Sequence, residues 1–364
     1  MSKARLIAFY LPQFHPFPEN DEWWGKGFTE WTNVGKAKPL FPGHYQPKVP
    51  SDLGYYDLRV PETRIEQAEL AKEAGVDGFC YWHYWFGNGK ELLERPFREV
   101  LNSGQPDFPF CLGWANESWA AKNWNAEKAS TVKKILIEQQ YGGADDYRMH
   151  FDSYLNAFKD HRYIRQDGKP VFLIYRPLLF NDLTMFMNLW NKWIKEAGVS
   201  DGFYFIGQAD RDEDVDLIKE RGFDAVTVLL SSRMQKACSK RLLIKRILNS
   251  IQYRLLNYPT IIDYTFCTKY LLSSVDERED VIPSILSNWD HSPRSGKDAI
   301  VLSEQKPESL YEYAKKIFKV VKNKENKLVF LKSWNEWGEG NYMEPDLKYG
   351  KSNICALKKA KDNV

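Results

Sequence analysis

Eight short runs of apolar and β-branched residues punctuate the chain, at 6–11, 78–84, 110–115, 170–175, 204–208, 225–229, 282–289 and 328–334. Runs of this length, bounded by turn residues, read as strands buried on both faces. Helix-length segments separate most of them. Residues 61–74 space Ile65, Ala68, Leu70 and Ala71 for one inward face and end at Gly75. Residues 183–197 stop at Gly198, and 307–321 repeat Leu310, Tyr313, Ile317 and Val320. Strands alternating with helices predict a parallel sheet with right-handed crossovers, and eight such units predict an α/β fold closed as a (β/α)8 TIM barrel. No short period repeats, which argues against a solenoid. The expected organisation is one catalytic domain over residues 1–364.

Two excursions interrupt the rhythm. Residues 12–57, after the first strand, are rich in Trp, Pro, Gly and His, and loops of that size usually carry function. Residues 231–262, after the sixth, hold Arg233, Lys236, Lys240, Arg241, Lys245, Arg246 and Arg254 without one acid. Between these, Leu242, Leu243, Ile247, Leu248, Ile251, Leu255 and Leu256 recur at roughly helical spacing. The first expectation is a barrel helix with its leucines on the core and a solvated basic face. The alternative is a helix lying apolar face down on an anionic membrane, in peripheral contact with it or with a lipid-linked acceptor.

Composition narrows the chemistry. A formal charge of +2 calls for no nucleic-acid partner. Cys80, Cys111, Cys238, Cys267 and Cys355 are odd in number and scattered, suggesting neither a disulfide framework nor a zinc site and fitting a reducing compartment. The opening apolar run is too short for a signal sequence, so a cytoplasmic protein, peripheral at most to the inner face of the membrane, is expected. Aromatic residues reach 15%, with 13 Trp and 20 Tyr, and many stand beside Asn, Glu, His or Arg at strand ends. Flat rings edged by hydrogen-bonding groups match a sugar, whose apolar face is rimmed with hydroxyls.

The sharpest constellation is Trp334-Asn335-Glu336-Trp337-Gly338-Glu339-Gly340, followed by Glu344-Pro345, at the carboxyl end of the last strand. That end is the catalytic face of a barrel. Gly338 and Gly340 let the chain turn, so the carboxylates of Glu336 and Glu339 converge as candidate catalytic groups, the usual equipment for glycosidic chemistry. Two solvated glutamates on a polar loop are the plain alternative. Candidate sugar-binding residues gather at the other strand ends: Tyr10, Gln13, His15, Glu30 and Trp31 after the first, Trp82, His83 and Tyr84 at the second. Trp114, Asn116, Glu117 and Trp119 follow the third, with a helix N-cap as the other reading of Asn116-Glu117. Tyr175 and Arg176 close the fourth, Trp289, Asp290 and Arg294 the seventh, and Asn335 and Trp337 complete the eighth. No phosphate loop, dinucleotide fingerprint or His-Glu-x-x-His occurs. Asp210, Asp212, Asp214 and Asp216 offer an Asp-x-Asp pattern for a metal, but acids opening a helix are expected from its dipole alone. Neither cofactor nor metal is expected.

These motifs, YLPQFHP, YWHYW, WANESW and WNEWGEG above all, resemble the glycoside hydrolase family 99-like group, including the WbsX-like proteins of bacterial surface-polysaccharide gene clusters, from Leu6 to about Pro345. The resemblance implies a (β/α)8 barrel, no metal, and retaining chemistry on α-mannoside-like sugars. It implies that Glu339 is the general acid/base, and that Glu336 assists the sugar's own 2-hydroxyl through an anhydro-sugar intermediate. Gly338 stands where the hydrolases carry a larger residue, and no export signal is seen. The leading expectation is therefore a glycosyltransferase of cell-surface polysaccharide (O-antigen or capsule) assembly, acting on a glycan or glycosyl donor and acceptor. A family 99-type endo-α-mannosidase is the alternative, and a non-catalytic glycan-binding barrel a third.

Overall fold

The computed structural model describes residues 3–121 and 134–364. All eight predicted runs form strands: β1 (Arg5–Tyr10), β2 (Gly78–Trp85), β3 (Phe110–Trp114), β4 (Lys169–Ile174), β5 (Tyr204–Ala209), β6 (Ala225–Val228), β7 (Ser284–Leu286) and β8 (Leu328–Lys332). They pair in parallel in the order β6-β5-β4-β3-β2-β1-β8-β7. A parallel bridge between Val226 and Val281, just before β7, brings the two ends of the sheet together. The fold is the expected TIM-type α/β barrel.

Both faces of these strands are covered, as a parallel sheet requires. Inside, Phe9 lies between Trp82 and Phe330, with ring centroids 4.8 Å from each. Outside, the helix Leu183–Glu196 seats Phe186 and Trp190 against Phe172 of β4. The helix Pro61–Glu73 buries Ala68, Leu70 and Ala71, but Ile65 faces solvent, and Arg64 and Gln67 take the inward places. Arg64 there donates to the carbonyl of Leu58 and pairs with Glu99, so a paired polar group substitutes for the aliphatic one. In Pro307–Lys322, Leu310, Tyr313 and Ile317 are buried as spaced, while Phe318 and Val321 replace Val320 on the inner face.

The excursion after β1 forms two short helices, Pro18–Trp24 and Glu30–Lys36, over the carboxyl ends of the strands. The excursion after β6 departs from the first expectation. It folds as Leu230–Ser239 and Leu243–Leu256, and the leucines of the second helix do not meet the core. Arg233 is the buried one instead, held between Asp212 and Asp276 at 2.7 Å from each. Among the described residues no helix is long and apolar enough to cross a membrane, and all five cysteines are free thiols.

Candidate active site

At the carboxyl ends of the strands lies a cleft of about 760 Å³. Its floor is set by the pleat. Successive residues of a strand point to opposite sides, so on β2 Trp82 and Tyr84 face the cleft while His83 faces the helices. Trp82 stacks on Phe9 at its back and meets Tyr175 edge-on at 5.5 Å. Gln13 donates to the Tyr84 hydroxyl at 3.1 Å, and Trp119 packs edge-on against both Tyr84 and Trp23. This wall is broadly aromatic with few polar points, the pattern of a sugar subsite.

Opposite stands the loop after β8. Glu336 closes a two-residue strand, Asn335–Glu336, paired antiparallel with Asn341–Tyr342, and the single turn Trp337–Glu339 joins them. Gly340 has φ +60, the left-handed conformation that turns the chain back. Gly338 serves space rather than turning, because a Cβ there would collide with the Glu30 carboxylate and lie 2.9 Å from Arg294. The loop is pinned from behind. Asn335 accepts from the Leu11 amide at 2.8 Å and donates to the Leu11 carbonyl at 3.0 Å, tying the turn to the end of β1. Trp337 stacks on Tyr342 at 3.7 Å and donates to Glu344, which also accepts from Gln67 and Tyr56. Burial pushes the Glu344 carboxyl up to about 7.

Arg294 is the hub of the site's charge. Its Nη1 donates to Oε1 of Glu339 at 2.8 Å and lies 3.7 Å from Oε1 of Glu336, while Nη2 is 2.9 Å from Glu30. Three carboxylates around one guanidinium keep that guanidinium charged although burial opposes it. Because both glutamates reach the same nitrogen, they share one small region at the edge of the cleft, where one sugar ring can touch both. Glu336 is buried and its carboxyl is pushed up, first by desolvation and then by the negative charge of Glu339; Lys332, Arg294 and the Ser333 hydroxyl at 3.1 Å restrain the rise. Paired carboxylates with one pushed up are equipment for proton transfer near neutral pH.

Of the sequence candidates, Gln13, Glu30, Trp82, Tyr84, Glu117, Trp119, Tyr175, Arg294, Glu336 and Glu339 line the cleft. The others stand behind it. Tyr10 bonds Gln67, and His83 and Trp114 pack with His150 in the helix layer. His15 is buried against Phe17, its imidazole pushed down to about 4 by burial. Trp31 packs on Trp337 and donates to the Tyr56 carbonyl. Asn116 neither caps a helix nor reaches the cleft: a strand, Trp119–Ala121, follows it, and its amide braces the backbone of Arg176. Arg176 pairs with Glu117 and Asp210. Trp289 stacks on His291. Burial alone would raise Asp290, but Lys48, His44 and Ser292 hold its carboxyl well below the usual range. Asn335 and Trp337 are the pins already described. The aspartates from Asp210 to Asp216 are each engaged: Asp210 by Arg176, Asp212 by Arg233, Asp214 by the Arg211 amide and Asp216 by Arg278. Sequence reasoning missed Asn20, Trp23, Trp24, Phe28, Asn33 and Lys36 from the loop after β1, and His291 and Lys332 beside the carboxylates.

The sequence profile of the family described as Glycosyltransferase WbsX matches residues 6–357. Uncharacterized proteins WxcX from two strains of Xanthomonas campestris pv. campestris are 35% identical across 98% of this chain, and the match takes in 49% of theirs. The chain thus spans about half the length of the curated relatives it matches. Among solved structures, a glycoside hydrolase-like protein superposes with a TM-score of 0.60 at 16% identity, covering 99% of this chain and 94% of that one. A GH99 endo-alpha-mannosidase from Bacteroides thetaiotaomicron superposes with a TM-score of 0.56 at 14% identity, covering 99% and 97%. At such identities the likeness is one of fold.

Proposed function

The chain belongs to the WbsX glycosyltransferase family, a carbohydrate-active family, and from that membership we propose that it transfers glycosyl groups in the assembly of a cell-surface polysaccharide, with retention at the reacting carbon. The observation that carries this reading is the meeting of Glu336 and Glu339 on one guanidinium at the edge of an aromatic cleft. Glu336, pushed up by desolvation and by Glu339, takes the proton of the donor sugar's 2-hydroxyl. The freed oxygen attacks the anomeric carbon, the bond to the leaving oxygen breaks, and Glu339 supplies a proton to that oxygen. In the second step an acceptor hydroxyl gives its proton to Glu339 and attacks the same carbon. The bond between the anomeric carbon and O2 breaks, and O2 recovers its proton from Glu336. Two inversions give retention. The aromatic wall of Trp82, Tyr84 and Trp119 holds the sugar faces.

Hydrolysis is the second reading, since the pair serves a water acceptor by the same steps. Incubating the protein with a panel of nucleotide sugars and α-mannosides, with mass spectrometry of the products, distinguishes them. Mass added to an acceptor sugar supports transfer, and mass added as water alone replaces it with hydrolysis. Turnover that persists in Glu336→Gln and Glu339→Gln removes the pair from both readings.

A further inference from the structure

The helix Leu243–Leu256 is mounted the wrong way round for a soluble protein. Leu243, Ile247, Ile251 and Leu255 form one row four residues apart, with Ile244 and Leu248 beside it and Leu242 and Leu256 at the ends. All eight are between 46% and 75% exposed. The opposite face makes the contacts. Asn249, the buried residue of this helix, accepts from the Ile261 amide at 3.2 Å and donates to the Thr260 hydroxyl at 3.4 Å. Tyr253, one turn on, donates to Asp298 at 2.7 Å. The polar edge is therefore fastened to the body and the aliphatic face is presented outward. A patch of this size on one helix marks a surface that something apolar covers.

Charge selects the cover. Lys236, Lys240, Lys245, Arg246 and Arg254, on this helix and on the segment leading into it, are exposed, and no acidic residue occurs between 231 and 262. The nearest acids are engaged: Asp263 caps the following helix through the Phe266 amide, and Asp298 accepts from Tyr253. A second copy docking here would set two basic rims against each other. An anionic bilayer offers an apolar interior beneath a negative surface, which matches both parts of the helix. We propose that this helix seats the protein on an anionic lipid bilayer, the outward side chains of Leu243, Ile244, Ile247, Leu248, Ile251 and Leu255 entering the boundary between headgroups and acyl chains and the basic residues meeting the lipid charges. Tyr258, just past the helix, packs on Phe41 of the loop after β1, the loop that also sends Trp23, Glu30 and Asn33 to the cleft.

Co-sedimentation of the whole protein with phosphatidylcholine vesicles, with and without phosphatidylglycerol, at low and high salt, tests the seat. Binding should require phosphatidylglycerol and weaken with salt. Lys245→Gln with Arg246→Gln and Arg254→Gln should lower vesicle affinity roughly a hundredfold. Ile247→Gln with Ile251→Gln and Leu255→Gln should abolish binding while circular dichroism and Tm stay unchanged, since these side chains touch no core. Equal affinity for neutral vesicles, no binding to any vesicle, or undiminished affinity in either triple variant would overturn the proposal. So would an aliphatic variant whose only effect is to convert a dimer to a monomer, because the occupant would then be a second copy.

Discussion

Two segments of this chain break the inside-outside rule in opposite directions. The loop after β8 takes charged and polar groups out of water: Glu336, Glu344, Asn335 and Asn341 are all buried, with Arg294 packed beside them. The helix Leu243–Leu256 puts large aliphatic side chains into water. Each exception costs free energy in the isolated protein. In the loop the compensation is internal, because each buried carboxyl finds donors or a guanidinium. In the helix nothing among the described residues compensates, and the proposed bilayer would supply what the helix lacks. The first pattern is what the proposed glycosyl-transfer site requires, the second what the proposed bilayer seat requires.

The largest effect should come from the loop. Glu339→Gln keeps the shape of the side chain and removes its proton, so turnover should fall by about 10³-fold or more while sugar binding and Tm hold. Measured kcat within tenfold of wild type would take Glu339 out of the acid/base role. Glu336→Gln should be nearly as damaging; an effect on KM alone would end the 2-hydroxyl mechanism. Arg294→Gln comes next. With Glu30, Glu336 and Glu339 left around an uncharged group, stability should drop by about 3–5 kcal/mol in denaturant titration. Arg294 also restrains the rise of the Glu336 carboxyl. Without it the acidic limb of the kcat/KM profile should move to higher pH, and an unmoved limb would mean that Glu336 is not the base.

The fold was legible in the chain because strand runs and helix stripes are local patterns. The faces were less so. An alternating amphipathic strand announces its inner side, but a barrel strand is buried on both, so Trp82 and His83 looked equivalent although one lines the cleft and the other meets His150. Period-two counting outward from Trp82 would have kept Tyr84 and removed His83. Glu30, Asn33 and Lys36 sit three apart on one helix face and all line the cleft, yet only Glu30 was singled out. The converse failure is the helix Leu243–Leu256. Periodicity shows which side chains share a face, and says nothing about whether that face meets a core or solvent.

A smaller effect tests the internal compensation by pH. Glu344 is held up at about 7, so its folded value lies above its unfolded one, near 4.5. A raised carboxyl contributes stability in full below pH 4.5 and loses it as pH rises through 7, by at most on the order of 3 kcal/mol. Relative to wild type, Glu344→Gln should therefore gain in Tm between pH 4.5 and 8, although other carboxylates such as Asp290 move the absolute Tm of both proteins. A gap that stays flat across that window would mean Glu344 is ionised throughout, with its three donors outweighing burial.

The smallest effect is expected where sequence pattern alone would predict a large one. Seven leucines and isoleucines at helical spacing look like a core stripe, and replacing one in a core costs about 2–5 kcal/mol. Leu310 is such a residue, fully buried in Pro307–Lys322, and Leu310→Ala should fall in that range. Leu255 is 75% exposed, and Leu243 is 66% exposed. Little of either side chain is buried, so Leu255→Gln and Leu243→Gln should each change unfolding free energy by less than about 0.5 kcal/mol, in either direction. Urea titration of the three variants side by side makes the comparison internal. A loss above 2 kcal/mol at Leu255 would place that side chain in a core, and with it would go the outward face on which the bilayer seat depends. If the loss is near zero and vesicle binding falls, the aliphatic face serves association and contributes nothing to folding.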